Sequence, residues 1–285
     1  MQLSILIVSR AAAADVAPKT YWKSVLPNTP IPKAVSELLN IGTRVDKTSY
    51  IVGEQDGKHT TTDSHFNLDS EGALLILEKD MYQGHAMNIQ FITETTSLSS
   101  STFLPRKVAN TIPFSSKNLP ELYSRFSIKP GSIKSESLEK TINLCEKKGI
   151  SNTYCATCLE DMVDFTTSKL GKKVTAISTE VIHPNKFQKY TIDSSRKVAT
   201  NKFVVCHKLS YPYAVFYCHK TMNTRVYLVS LVGEDGTKAK GLAICHDNGA
   251  KLYPKDLVFK VLGVNPGTTP ICHFLPEDHV VFVPY

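Results

Sequence analysis

The spacing of apolar residues predicts three helices in the middle of the chain. In each of them apolar side chains recur every three or four positions, which places them on one face of a helix. The second helix would begin at Ser135 or Ser137, since either serine can cap it. The predicted stripes are Leu119, Leu122 and Phe126; then Leu138, Ile142 and Cys145; and finally Cys155, Leu159, Met162, Val163 and Thr166.

In the C-terminal half the pattern changes to short apolar runs that are typical of buried strands. Turn sequences separate these runs, most clearly at 233–236 and 264–267. Two earlier runs, 72–78 and 87–92, predict buried strands on either side of a turn at 82–85. The pattern as a whole predicts an α+β fold with an irregular N-terminal part, a helical middle and a β-rich, antiparallel C-terminal half. The C-terminal runs are 203–207, 214–219, 226–232 and 242–246.

Composition narrows the class of protein. The 285 residues are 42% apolar and 21% charged, which is typical of a chain that folds around a core and not of a disordered one. No apolar run approaches the roughly 18 residues of a membrane-spanning helix, so no membrane span is expected. The net charge of +7 is spread along the sequence. A dispersed charge argues against a nucleic-acid partner and suits a solvated basic surface or an anionic polysaccharide of the extracellular matrix.

The N-terminus resembles a secretory leader in its apolar stretch followed by small residues, but the stretch is short and no basic residue precedes it. We therefore expect a degenerate or truncated leader at 1–20, an N-terminal segment at 21–64 and the main domain at 65–285. The hydroxyl-rich run 95–101 is the expected linker, and 53–64 is a second stretch with weak order.

Four of the seven cysteines are followed directly by a histidine, which is the strongest signal in the sequence. Adjacent residues of a strand point to opposite faces, so each dipeptide would place its sulfur and its imidazole in different environments. If the first two dipeptides belong to a hairpin centred on Pro212, their sulfurs lie opposite one another. Their imidazoles are then diagonal neighbours on the other face. The dipeptides are Cys206-His207, Cys218-His219, Cys245-His246 and Cys272-His273.

Imidazoles gathered in this way suit a transition metal. An all-nitrogen tetragonal site favours Cu(II), whereas a mixed sulfur and nitrogen tetrahedron favours zinc. Oxidised cysteines are not ligands, so copper is favoured in an oxidising compartment. The alternative is that the dipeptides supply disulfides and hydrogen-bonded structural histidines. Five other histidines lack this spacing and are expected to be surface or structural residues: His59, His65, His85, His183 and His279.

The spacing of the four dipeptides resembles the signature of the plant BURP-domain family. The resemblance covers about residues 20–285 and makes the main domain at 65–285 the BURP domain. The further matching segments are 21–32, 77–80, 103–106, 112–116, 154–157, 162–165, 232–237 and 272–278.

The resemblance implies a secreted plant protein of the cell wall or vacuole. One group of the family consists of copper-dependent peptide cyclases, which crosslink a Tyr or Trp side chain of a ribosomal core peptide oxidatively. Other members are non-enzymatic wall, seed or stress proteins, one type being associated with a polygalacturonase, so pectin or such an enzyme is the alternative partner. Carried over from the cyclases, the copper ligands are His207, His219, His246 and His273.

The chain departs from the family pattern at several points. Cys158 stands where the family usually has Ser, so it is the expected free thiol and Cys145 is expected to pair with Cys155. A thioredoxin-like use of Cys155 and Cys158 is the alternative. Phe282 replaces the usual Trp, and no repeated core peptide precedes the domain, so an enzyme of this type would act on a separate peptide. The remaining disulfide candidates are Cys206, Cys218, Cys245 and Cys272.

Overall fold

A computed structural model describes residues 17–40, 75–91, 102–147, 151–182, 187–247 and 256–285. Within these residues the helices precede or cover two antiparallel sheets, so the α+β prediction is confirmed. None of the described helices is long and apolar enough to cross a bilayer. Most of the predicted leader and the runs at 53–64 and 95–101 lie outside the described residues.

The described residues form seven α-helices and twelve strands. The helices are α1 (Pro18–Val25), α2 (Lys33–Asn40), α3 (Arg106–Ala109), α4 (Leu119–Arg125), α5 (Ile133–Glu146), α6 (Leu159–Leu170) and α7 (Asp256–Leu262). The strands are β1 (Leu75–Leu77), β2 (Ala86–Ile89), β3 (Thr153–Ala156), β4 (Val174–Ile177), β5 (Glu180–Val181), β6 (Gln188–Thr200), β7 (Val204–Leu209), β8 (Val215–Lys220), β9 (Thr224–Gly233), β10 (Lys238–His246), β11 (Ile271–Phe274) and β12 (Val280–Pro284).

The described strands form two sheets. The larger has the order β1-β11-β10-β9-β6-β2, with β5 added beside β10, and the smaller has the order β3-β8-β7-β12-β4. The long strand β6 was not predicted, because buried and exposed residues alternate only in its first half. From Asp193 onward its side chains are mostly exposed, and the sequence there carries little apolar signal.

The helical predictions hold with two corrections. The helical part of the α6 stripe is buried as expected, whereas in α4 Leu122 is buried and Leu119 and Phe126 are half-buried against the same cluster. The cap of α5 is Ser132, whose hydroxyl accepts a hydrogen bond from the backbone N–H of Ser135 at 3.3 Å, so the helix begins earlier than predicted. Cys155 lies on β3 and not on a helix, because the short strand ends before the cap of α6.

The two early strands flank a turn as predicted, but they do not pair with each other. β1 pairs with β11 and is buried along its length, whereas β2 pairs with β6. Ala86 and Asn88 of β2 are exposed, so the prediction of a second fully buried strand was wrong. The strand lies at the edge of the larger sheet, where one face meets solvent.

An apolar layer joins the inner faces of the two sheets. It contains Val205 and Val281 from the smaller sheet, together with Val226 and Ile244 from the larger one. The outer face of the smaller sheet is covered by α1 and α6, and a separate cluster covers the outer face of the larger sheet. The fold is thus a sandwich of two sheets, and the ends of its inner faces carry the Cys-His dipeptides.

Candidate metal site

The cysteine of each Cys-His dipeptide points to the outer face of its sheet. Cys206 on β7 and Cys218 on β8 are opposite one another in the register, with their Cα atoms 4.0 Å apart, and form a disulfide. Both sulfurs are buried in the cluster beneath α6. Cys245 on β10 and Cys272 on β11 form a second disulfide in the same way in the larger sheet. The four sulfurs therefore crosslink two pairs of neighbouring strands.

The histidines point in the opposite direction, into the space between the sheets. Val205 and Ile244 belong to the layer that joins the two sheets. Side chains two residues apart on a strand share a face, so His207 and His246 extend from that same layer. The sulfurs and the imidazoles are thus divided between opposite faces, as alternation along the strands predicts.

The four imidazoles form two stacked pairs. The Nε2 atoms of His207 and His219 are 3.1 Å apart, and their rings are nearly parallel with centroids 5.2 Å apart. The Nε2 atoms of His246 and His273 are 3.3 Å apart, with ring centroids separated by 5.4 Å. In the first pair His219 lies opposite Val205, two residues before His207, so the diagonal contact predicted for the hairpin is present.

Burial keeps His207, His219 and His246 uncharged near neutral pH. It lowers the pKa of His219 to about 4 and, together with the neighbouring His273 and His219, lowers the pKa of His246 to about 3. Burial, followed by the imidazole of His279 and those of both pairs, also holds the pKa of His207 well below its usual range. An uncharged imidazole has a lone pair to donate, and it is the form that binds metals.

The donor set fits a transition metal. Two nitrogens about 2.0 Å from one metal lie roughly 2.8 Å apart in adjacent positions of a tetragonal site and roughly 3.3 Å apart in a tetrahedral one. The Nε2 separations of 3.1 and 3.3 Å fall within this range. Imidazole suits copper, and the bonded sulfurs are not free to form a sulfur-containing zinc site. Among the described residues no three His, Cys, Asp or Glu side chains converge as a ready-made metal site. Each pair therefore offers two ligands and leaves other coordination positions open.

His279 also lies in this cluster, although its spacing in the sequence does not indicate it. Its Nδ1 is 3.1 Å from the Nδ1 of His207, and only 3% of the residue is exposed. No cysteine precedes His279, so the signal that marks the other four is missing. His85 instead lies at a turn, with its ring edge-on to Tyr82 at 5.4 Å. The remaining histidines, His59, His65 and His183, lie outside the described residues.

Tyr217 borders the first pair. It lies opposite His207 in the register, and its ring centroid is 5.9 Å from that of His219. Tyr217 also lines a cleft of about 360 Å³, together with the disulfide between Cys145 and Cys155. Tyr217 therefore both lines the cleft and contacts the first histidine pair.

The remaining cysteines are divided between a disulfide and a free thiol. Cys145 on α5 is bonded to Cys155 on β3, with 5.8 Å between their Cα atoms. Cys158 is free and fully buried, and its sulfur accepts a hydrogen bond from the N–H of Asp161 at 3.4 Å. Burial raises the pKa of this thiol to about 12, so it is not a reactive thiolate. Because Cys155 is bonded to Cys145, the thioredoxin-like alternative finds no support.

A charged network holds the strands around the second pair. Arg225 lies opposite Cys245 in the register. Its guanidinium donates two hydrogen bonds to Glu78, at 2.6 and 2.8 Å, and pairs with Asp247 at 2.5 Å. The hydroxyl of Tyr227 donates a further bond to Glu78 at 2.6 Å. Since Glu78 follows β1, Arg225 lies on β9 and Asp247 follows β10, the network links three strands of the larger sheet next to the second pair.

Comparison with known proteins identifies the same unit. A family model described as "BURP domain" matches residues 74–284. The chain is 50% identical over 223 residues to "BURP domain protein RD22" of Arabidopsis thaliana, covering 76% of this chain and 57% of that protein. It is 38% identical over 288 residues to "BURP domain-containing protein 5" of Oryza sativa subsp. japonica, covering 94% and 87%. With "BURP domain-containing protein 3" from the same rice it shares 41% identity over 232 residues, covering 79% and 53%. The chain thus spans little more than half the length of two of these relatives.

Proposed function

Because the chain belongs to the BURP-domain family, we propose that it is a copper-binding protein that crosslinks a Tyr or Trp side chain of a separate peptide oxidatively. The main support for the copper site is the pairing of the imidazoles. Four partly buried rings from different strands place their Nε2 atoms 3.1 and 3.3 Å from a partner. The proposed ligands are His207, His219, His246 and His273.

The residues of the chain have defined roles in this proposal. The imidazoles bind through Nε2, and the disulfides beneath them hold each strand pair in register. Bound copper would accept electrons from an aromatic side chain of the peptide. Tyr217 and the cleft beside it provide an aromatic surface next to the first pair, where such a side chain would rest. Crosslinking forms one bond and removes two hydrogens, and we assign dioxygen as the acceptor of their electrons and protons.

The first test is copper content. We expect the purified protein to bind one copper ion per histidine pair, because each pair brings its own two Nε2 atoms together. The double variants His207→Ala/His219→Ala and His246→Ala/His273→Ala should each lose about half of the metal, as measured by elemental analysis after dialysis. The matched control is His85→Ala, which removes an imidazole at a turn. Unchanged copper in both double variants would contradict the site.

The second test is turnover. Copper-loaded protein is incubated in air with synthetic peptides that contain one Tyr or one Trp, and the products are analysed by mass spectrometry. A mass loss of two hydrogens, absent in both double variants, is the expected result. Copper binding without any mass change would leave a metal protein and overturn the crosslinking activity.

The proposed location is the secretory pathway, ending in the cell wall or vacuole. Three disulfides form among the described cysteines. Such bonds persist in oxidising compartments and are rare where glutathione keeps thiols reduced. A fluorescent fusion of the full-length protein in plant cells should therefore leave the cytosol.

A second candidate function is binding to an acidic wall polysaccharide such as pectin or to a polygalacturonase-type partner, without catalysis. The net charge of +7 favours it. An open groove of about 660 Å³ beside β5 carries Lys238 and Lys240, although Glu180 and Asp193 also line it.

Retention on immobilised polygalacturonate tests this candidate. Retention should fall with salt and with the variant Lys238→Ala/Lys240→Ala, because screening and loss of charge both weaken the attraction. Lys172→Ala/Lys173→Ala, at an exposed site elsewhere, is the matched control for net charge. No retention at low ionic strength would exclude the candidate.

A further inference from the structure

A third imidazole, that of His279, contacts the first histidine pair. His279 precedes β12, and its ring meets that of His207 edge-on, with centroids 4.8 Å apart. The contact joins the two Nδ1 atoms, 3.1 Å apart, whereas the contact with His219 uses Nε2 of His207. His207 thus has a different partner at each ring nitrogen.

This arrangement determines which nitrogen of His207 is available. A neutral imidazole carries one proton, so one of its nitrogens donates and the other accepts. Metal-ligating histidines almost always donate their second N–H to a fixed acceptor, which sets the tautomer and the orientation of the ring. If Nδ1–H of His207 donates to Nδ1 of His279, the lone pair of His207 is at Nε2 and faces His219.

The surroundings fix the two rings relative to one another. Lys208 and Asp278, the residues next to His207 and His279, are both buried and form an ion pair with 3.8 Å between Nζ and Oδ2. Asp278 Oδ1 lies 3.9 Å from Nε2 of His279. The ion pair therefore holds the backbone of β7 close to the start of β12 at the level of the two imidazoles.

We propose that His279 is a positioning residue, which holds His207 in the Nδ1-protonated tautomer and aims its Nε2 at the metal shared with His219. The proposal rests on the copper site proposed above and adds a residue outside the four dipeptides. It assigns no coordination bond to His279 itself.

Two variants test the role. His279→Leu removes the acceptor, whereas His279→Asn keeps an oxygen near the place of Nδ1. Loss of an outer partner of a ligating histidine typically lowers metal affinity about 10- to 100-fold. We expect that loss in His279→Leu, confined to the His207–His219 pair, and substantial recovery in His279→Asn. The measurement is competition for Cu(II) with a chelator, with electron paramagnetic resonance to distinguish the two pairs. The control is His85→Leu.

A metal-free measurement separates this proposal from the copper site. Nitrogen-15 NMR of the metal-free protein should show the proton of His207 on Nδ1, and in His279→Leu that preference should disappear. If the wild-type protein binds no copper but shows this tautomer, the copper site fails and the positioning contact stands. If His207 carries its proton on Nε2 in the wild-type protein, or if His279→Leu folds and binds copper as tightly as the wild type, the role of His279 is overturned.

Discussion

At the scale of single residues, Glu78 connects folding to pH. Burial alone would raise the pKa of its carboxyl, but hydrogen bonds from Arg225 and Tyr227 outweigh burial and hold the pKa below its usual value. A carboxyl whose pKa is lowered on folding stabilises the fold above its unfolded pKa, about 4.3, and this stabilisation is lost as the pH falls through the folded value.

Glu78→Gln should therefore be less stable than the wild type at pH 7, by about 1.5–3 kcal/mol, because it breaks a charge-assisted network. As the pH falls below the lowered pKa of the folded carboxyl the two proteins should converge, since the wild-type carboxyl is then protonated too. Urea unfolding across this pH range measures the difference. Glu121→Gln, which alters an exposed pair with Arg125, should change stability little. A gap between wild type and Glu78→Gln that is independent of pH would contradict the linkage.

Phe282 provides a second prediction for a single residue, in this case one in the core. It is fully buried, and its ring centroid is 5.8 Å from that of Trp22, which belongs to α1. Phe282→Ala should cost about 3–5 kcal/mol, because the cavity lies between the sheet and an N-terminal helix. Thermal unfolding measures this cost, and Tyr285→Ala, at a residue that is 65% exposed, is the control. Equal stability of the two variants would show that α1 does not pack on the domain as described.

At the scale of elements, the disulfides should determine whether the histidine pairs form. Cys206→Ala/Cys218→Ala removes the bond between β7 and β8, at a typical cost of about 2–5 kcal/mol. We expect it to weaken copper binding at the first pair as well, because the imidazoles extend from the same two strands. Elemental analysis and thermal unfolding measure both effects.

Cys158→Ser is the matched control for this prediction. The serine keeps a side-chain acceptor at the N-cap of α6, where Ser is favoured. Copper content should be unchanged in this variant. If Cys206→Ala/Cys218→Ala folded and retained all of its copper, the disulfide would have no part in forming the pair.

Elements with a strong local pattern could be predicted from the sequence, and those set by distant partners could not. The hairpin of β7 and β8 followed from the spacing of two dipeptides around Pro212, and both its register and its faces match. The pairing of β10 with β11 was not predictable in this way, because 27 residues separate the two bonded cysteines. β6 was not predicted, because most of its second half faces solvent and its apolar residues there show no regular spacing.

At the scale of the whole molecule, the candidate site arises from the meeting of two sheets. Sequence identified the four histidines, since each has a cysteine before it. It did not identify His279, because only the packing of β12 beside β7 brings that ring to His207. A local pattern indicates which face a side chain occupies, whereas the distance between faces depends on the whole core.

The Cys-His dipeptide is the shortest unit that gives a strand a disulfide on one side and an imidazole on the other. Its function therefore depends on adjacency and not on the number of histidines. Inserting a single residue between Cys206 and His207 would turn the imidazole to the sulfur side and separate it from His219, with the same residues still present. Adjacent cysteine and histidine residues, repeated at the separation of a hairpin, are thus a pattern by which two-sided strand sites can be sought in other proteins.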